Sequence, residues 1–139
     1  MQYWLLKTEP EVFSWDDLVR EGVSMWDGVR NYAARNNLRA MAVGDLALIY
    51  YSVKERAVVG IARIVETAFP DPTTDDDRWS AVRISPVELL PRWIRMEEIK
   101  AEPELAQMIL LKISRLSVQP LTPAEFEHIR KMAARPANG

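Results

Sequence analysis

The chain has 139 residues, of which 48% are hydrophobic and 27% are charged, and it contains no cysteine. This is the length and composition of one folded globular domain whose core needs no cross-links. The missing cysteines exclude disulfides, thiolate metal sites and a cysteine nucleophile. The single histidine, His128, excludes a histidine-rich metal site and argues against a histidine-based catalytic triad.

The charge is small overall but unevenly distributed. A net charge of −2 argues against a globally basic nucleic-acid binder. Residues 28–63 nevertheless carry six basic and two acidic side chains, whereas residues 64–80 carry five acidic and one basic. One region is therefore suited to face phosphates while the other repels them; the alternative is an ordinary solvated mixture of charges.

Membrane insertion and export are not indicated by the hydropathy pattern. No apolar stretch is long enough to cross a bilayer. The apolar run near the first residues is too short for a signal peptide and has no basic leader. We therefore expect a cytoplasmic protein with no membrane partner.

The first half of the chain predicts a strand, two helices and a hairpin. Residues 3–7 are predicted as the first strand. Ser14 is the expected cap of a short helix, and a second helix is expected from near Asn31 to about Met41. Residues 46–52 are almost all apolar, typical of a strand covered on both faces. They are predicted to form an antiparallel hairpin with residues 57–65.

The second half predicts two more strands and further helices. Residues 79–87 roughly alternate and are predicted as a strand, residues 96–100 and 103–110 as short helices, and residues 113–118 as the last strand. The final helix has the clearest start, at 122–125, where a threonine cap, a proline at the first helical position and a capping-box glutamate occur together.

This order of elements is not a regular βαβ alternation. It fits an α+β domain built on a curved, mostly antiparallel sheet. We expect one domain over residues 1–134, followed by a flexible tail at residues 135–139.

A polar stripe on the second predicted helix is the first candidate binding feature. Its members, which share one helical face, are Tyr32, Arg35, Asn36 and Arg39. Arginine binds phosphate through two hydrogen bonds, and asparagine can pair with a base edge. The alternative is a solvated face, with Asn31 as the helix cap and Trp26 in the core.

Tryptophan is the second candidate feature. Five tryptophans are present, at positions 4, 15, 26, 79 and 93. Stacking on such rings holds a flat base with about 1–3 kcal/mol, but buried tryptophans more often only pack. We expect two or three of the five to be core residues. Phosphate-loop, nucleophile-elbow and zinc-deaminase signatures are absent, so we expect no catalytic residues, no metal and no cofactor.

Several motifs in sequence resemble those of the EVE domain family over about residues 2–132. They are residues 3–10 (YWLLKTEP), 26–32 (WDGVRNY), 35–36 (RN), 43–45 (VGD), 59–62 (VGIA), 71–72 (DP) and 115–120 (RLSVQP). The resemblance implies a PUA-like fold, a pseudo-barrel sheet wrapped by helices, with kinship to YTH domains. It also implies recognition of a modified base, with modified cytosine in DNA as the first expectation.

The resemblance further implies one base pocket with a basic surround. Its expected lining is Lys7, Thr8, Trp26, Asn31, Tyr32, Asn36, Tyr51, Ser52, Trp79, Arg115 and Ser117. In this hypothesis Trp26 and Trp79 stack on a flipped base, and Asn31, Thr8 or Ser52 reach its edge. The expected phosphate contacts are Arg30, Arg35, Arg39 and Lys54.

Three alternatives stay open at this point. The first is a module that binds tRNA or another modified RNA through the same pocket. The second is an enzyme that processes a modified nucleotide, which requires a perturbed lysine or carboxylate such as Lys7 or Glu9. The third is a small-molecule sensor, which an acidic pocket rim favours and a basic rim disfavours. We expect a monomer whose partner is nucleic acid.

Overall fold

The computed structural model describes residues 1–135, and it is organised around one mixed sheet. The strands are β1 (Tyr3–Thr8), β2 (Ser24–Trp26), β3 (Leu46–Tyr51), β4 (Ala57–Pro70), β5 (Ser80–Arg95) and β6 (Val118–Leu121). Their spatial order is β2-β5-β4-β3-β1-β6. Only β1 and β3 pair in parallel among the described strands. The predicted α+β class and mostly antiparallel sheet are confirmed. The expected tail lies outside the described residues, apart from Arg135.

Five α-helices cover the two faces of this sheet. They are α1 (Trp15–Glu21), α2 (Tyr32–Ala40), α3 (Met96–Ala101), α4 (Ile109–Lys112) and α5 (Pro123–Ala134), with a 3-10 turn at Pro103–Leu105. The buried side chains of α1 and α2 belong to one hydrophobic core, and those of α3 to α5 belong to a second core across the sheet. Within residues 1–135, no helix combines the length and apolar character that spanning a membrane requires.

The helix starts follow the predicted caps. The Ser14 hydroxyl accepts from the amide of Asp17 at 3.1 Å, and the Thr122 hydroxyl accepts from the amide of Glu125 at 3.0 Å. Both form capping boxes, because the third helical residue accepts a hydrogen bond from the cap amide in return. Local side-chain chemistry therefore sets where these helices begin.

The β3–β4 hairpin is confirmed, but several strand boundaries differ from the prediction. β4 and β5 run on to Pro70 and Arg95 because they pair with each other along their whole length, with bulges that absorb the irregular positions. The last strand was wrongly predicted at 113–118. It begins at Val118, where pairing with Leu6 of β1 begins, and the Ile113 amide instead donates to the Ile109 carbonyl at the end of α4. The three-residue β2 was not predicted.

A glycine in β4 allows α1 to lie close to the sheet. A Cβ atom at Gly60 would lie 2.4 Å from the ring of Trp15. Trp15 is buried, and its backbone amide donates to the Tyr51 hydroxyl at 2.8 Å. This close contact positions α1 beside the sheet. It also positions the loop between β1 and α1 at the end of the sheet where β1 ends.

Candidate nucleic-acid binding site

Two adjoining cavities open where β1 ends. The first, the Trp26 cavity, has a volume of about 550 Å³, within the usual range for ligand sites. The second, the Val53 cavity, has a volume of about 520 Å³. The residues that line both are Lys7, Thr8, Val12 and Ser117. One continuous depression therefore runs across the end of β1.

Two aromatic rings supply the apolar wall of the Trp26 cavity. Trp26 ends β2, where it pairs with Val82 of β5, and only 8% of its surface is exposed. The Phe13 ring meets it edge-on, with centroids 5.9 Å apart and planes 88° apart. Phe13 lines the cavity but was not predicted, because a lone phenylalanine in a loop gives no sequence signal. The wall combines a ring face and a ring edge, an arrangement suited to a flat heterocycle.

The carboxylate of Asp71 holds the rim of this cavity in place. It accepts from the Gly28 amide at 2.9 Å, from Arg30 at 3.0 Å, and from both the amide and the hydroxyl of Thr73. Burial acts to raise the pKa of Asp71, but these hydrogen bonds outweigh it and lower the pKa to about 2. Gly28 has a φ of +75°, a conformation that favours glycine. The residues Asp27 to Arg30 are thereby held as a fixed turn.

Two ionisable groups in the cavity wall are perturbed. Burial lowers the pKa of the Lys7 ammonium, which donates to the Ser114 carbonyl at 2.8 Å. Partial burial, together with the nearby charge of Asp71, raises the pKa of Asp27. The Asp27 carboxylate accepts a hydrogen bond from its own backbone amide and none from the described side chains, so it keeps acceptor capacity for a ligand. It was not among the predicted site residues.

Comparison with known proteins identifies the family. The sequence model of the EVE domain family matches residues 2–132 of this chain. The chain belongs to the EVE domain family. The predicted resemblance is confirmed.

Relatives of this EVE domain are found in animals and bacteria. Mouse and human thymocyte nuclear protein 1 are 39% and 36% identical, and each alignment covers 91% of this chain and about 71–72% of the relative. A protein from Agrobacterium tumefaciens superimposes with a TM-score of 0.94 at 40% identity, covering 98% of this chain and 97% of the other.

The structure of human THYN1 was solved in complex with DNA containing 5-methylcytosine. It superimposes with a TM-score of 0.91 at 35% identity, covering 98% of this chain and 99% of the other. A YTH domain from Zygosaccharomyces rouxii shares the fold, with a TM-score of 0.61 at 11% identity, and covers 95% of this chain and 86% of the other.

The EVE domain brings some predicted base-pocket residues together and separates others. Lys7, Thr8, Trp26 and Ser117 line the Trp26 cavity. Ser52 and Arg115 line only the adjoining Val53 cavity. Asn31 caps α2, with its side-chain oxygen accepting from the Ala34 amide at 2.9 Å. The side-chain oxygen of Asn36 accepts from Arg35, on the same helix.

Tyr51 and Trp79 do not line the Trp26 cavity. Tyr51 is 5% exposed, and its hydroxyl accepts from Trp15, so the side chain belongs to the core. The Trp79 ring stacks on Tyr32 at 5.1 Å and lines a separate cavity of about 380 Å³. The expectation that Trp79 forms a second wall beside Trp26 therefore does not match its position. The loop before β5 carries it onto α2 instead.

The basic and acidic regions are joined rather than separated. Arg35 and Arg39 both donate to the Arg78 carbonyl, and Arg39 also donates to the Ser80 hydroxyl at 3.0 Å. Arg30 is paired with Asp71 at 3.0 Å. These arginines hold the loop before β5 against α2, so the two regions lie side by side, and the phosphate contacts expected of Arg30, Arg35 and Arg39 stay a prediction.

Two other basic side chains are more exposed. Lys54 lies 3.7 Å from Glu11 in an ion pair whose members are both largely exposed. Arg115 is exposed on the Val53 cavity and forms no side-chain hydrogen bond or ion pair with residues 1–135. Arg115 is therefore the cation best placed to meet a phosphate at the depression.

Proposed function

We propose that this EVE domain is a non-catalytic module that binds a modified base, a modified cytosine, in DNA. The observation that carries the proposal is the Trp26 cavity, an aromatic-walled site with the carboxylate of Asp27 at its rim. Support comes from human THYN1, a relative of similar fold whose structure was determined with 5-methylcytosine DNA. The cytoplasmic location stays a prediction, and vertebrate relatives carry the name thymocyte nuclear protein.

Stacking and burial favour a cytosine substituted at C5. The base packs in the Trp26 cavity against the wall that the contacting rings of Trp26 and Phe13 form, where its substituent leaves water against apolar atoms. Burial of one methyl group contributes about 0.8 kcal/mol, which corresponds to about a fourfold gain in affinity. We therefore expect the modification itself to add a modest factor, while stacking and hydrogen bonds supply most of the affinity.

Asp27 selects the base through its amino group. A carboxylate accepts a hydrogen bond from the 4-amino group of cytosine, whereas thymine has a carbonyl oxygen at that position. Because ionised Asp27 is the acceptor, affinity falls as the pH drops through its raised pKa. Ser117 lies in the same cavity as a donor for the remaining edge of the ring, and the Thr8 hydroxyl, which donates to the Phe13 carbonyl at 2.9 Å, can accept from it.

Fluorescence anisotropy with short duplexes containing one 5-methylcytosine, one cytosine or one thymine at the same position tests this function. Wild-type protein is expected to prefer 5-methylcytosine over thymine, and Asp27→Asn to lose that preference and its pH dependence. Glu21→Gln is the matched control, since it removes a charge from the same cavity wall while Glu21 already accepts from Ser24. Equal binding of all three duplexes by the wild type contradicts the proposal.

The perturbed Lys7 and Asp27 favour a second candidate, chemistry on a modified nucleotide. Such groups are a requirement for acid–base catalysis, and both line the Trp26 cavity. Incubation of modified nucleotides and oligonucleotides with the protein, followed by mass spectrometry, separates the candidates. An unchanged mass supports the binding module, and turnover that Lys7→Ala abolishes supports the enzyme.

The charge of the cavity lining does not separate a polymer ligand from a small molecule. Lys7 and Arg30 face Glu21 and Asp27, so the rim is balanced rather than basic or acidic. Affinity for the free nucleoside, measured beside the same base in a duplex, decides this question. A duplex that binds no better than the nucleoside supports a small-molecule sensor.

A further inference from the structure

Val53 combines a strained backbone with an exposed apolar side chain. Its φ is +74°, in the left-handed region that β-branched residues rarely adopt. Its surface is 64% exposed, so burial does not compensate the strain. Glycine or asparagine relieves such strain in an ordinary turn. Strained residues of this kind cluster at sites that clamp ligands.

The position of Val53 links it to the Trp26 cavity. It lies in the connection between β3 and β4 and lines the Val53 cavity, which shares Lys7, Thr8 and Ser117 with the Trp26 cavity. Val12, whose surface is 75% exposed, lines both. Two exposed valines from different loops therefore stand at the mouth of the depression, beside the exposed guanidinium of Arg115.

We propose that Val53 is an apolar wedge that enters the base stack of a duplex when the modified base swings into the Trp26 cavity. The inference rests on the proposed function and adds a duplex-specific step to it. Extrusion of a base leaves a gap and unstacks its neighbours. Proteins that distort DNA offset this cost by inserting an apolar side chain at the step. Val53 fills the gap, Val12 covers the adjacent base face, and Arg115 meets the flanking phosphate.

A fixed, outward-pointing side chain suits this role better than a mobile one. Val53 adopts this left-handed conformation in the short connector between the paired strands β3 and β4. A β-branched side chain has few rotamers, so it loses little freedom on insertion. The exposed apolar surface that water meets in the free protein is then covered by bases in the complex.

The test compares duplex with single-stranded oligonucleotides that carry the same 5-methylcytosine. Val53→Asn tolerates the positive φ and removes the apolar wedge, so it is expected to raise the melting temperature while weakening duplex binding by about tenfold. Single-strand affinity is expected to stay within about twofold of wild type, because an unpaired base needs no wedge. Val53→Ile, which keeps the branched apolar side chain, is expected to retain duplex binding.

Val43→Asn is the matched control, since Val43 is also 64% exposed but lies in the turn before β3 and lines neither cavity. A duplex with 2-aminopurine next to the modified cytosine reports unstacking, and its emission is expected to rise with wild type and less with Val53→Asn. Equal losses for duplex and single strand, or an unchanged duplex affinity, overturn the wedge. Wild-type protein that binds neither form overturns the proposed function itself.

Discussion

The side chain of Asp71 and the backbone amide of Gly28 are joined by a 2.9 Å hydrogen bond across 43 residues of sequence. This bond places the loop before β5 against the rim of the Trp26 cavity. It also explains why an aspartate is needed there: four hydrogen bonds converge on one buried carboxylate, and its charge strengthens each of them.

Replacement of Asp71 by asparagine is expected to loosen the cavity rim. The amide cannot accept all four hydrogen bonds, so we expect a loss of about 2–3 kcal/mol of folding free energy and weaker binding of modified DNA. Chemical denaturation and anisotropy measure the two effects. Asp75→Asn, a neighbouring exposed substitution, is expected to change neither. Full stability in Asp71→Asn contradicts this account.

The same carboxylate makes stability depend on acid pH. The pKa of folded Asp71 is about 2, below its ordinary value of 3.8. A group whose folded pKa is depressed contributes stability that is fully present above its unfolded pKa and lost as the pH falls through its folded pKa. We therefore expect the melting temperature to fall between about pH 4 and pH 2, with a smaller fall in Asp71→Asn. If the wild type and Asp71→Asn show identical dependence of melting temperature on pH, the acid sensitivity comes from other carboxylates.

The two tryptophans Trp26 and Trp15 are expected to respond differently to the same change. Trp26→Phe removes part of the cavity wall, so it is expected to reduce preference for the modified base, with a stability loss of about 1–3 kcal/mol from the space left in the core. Trp15→Phe leaves the wall intact and is expected to reduce stability while keeping the preference. Thermal melts and anisotropy separate these results. An unchanged preference in Trp26→Phe places that ring in the core alone.

Gly60→Ala is expected to be costly although it adds one methyl group. The new Cβ would lie 2.4 Å from the Trp15 ring, and overpacking of this kind costs about 1–3 kcal/mol. Trp15→Phe removes the part of the indole that meets Gly60, so the double variant is expected to recover part of the loss. Strictly additive losses, measured by denaturation, argue against a direct clash.

Local sequence signals predicted the local structure, and long-range pairing determined the rest. Ser14 and Thr122 marked helix starts because a cap depends on residues only three positions away. The start of β6 depends on where β1 lies, 112 residues earlier for the pair Leu6 and Val118. No local pattern contains that information.

The candidate site shows the same division between local and long-range information. Trp26 and Lys7 were predicted and line one cavity, because both lie in or beside strands that the sheet positions. Asp27 was missed because its place at the cavity depends on a distant residue. Asp71, 44 positions later, accepts from Gly28 and Arg30 and so holds the turn that carries Asp27. Trp79 was misplaced because the path of an acidic loop cannot be read from its composition.

Salt dependence separates a cation that meets phosphate from cations that hold the protein together. Arg115 is exposed and unpaired within residues 1–135, whereas Arg39 donates to Ser80 and to the Arg78 carbonyl. Each phosphate contact adds about 0.9 to the slope of log affinity against log salt on duplex DNA. Arg115→Ala is therefore expected to lower that slope by about 0.9 and to weaken all sequences alike, with an unchanged melting temperature. Arg39→Ala is expected to lower the melting temperature and leave the slope nearly intact. The opposite pattern would show that the α2 arginines release the acidic loop and turn to the phosphates when DNA binds.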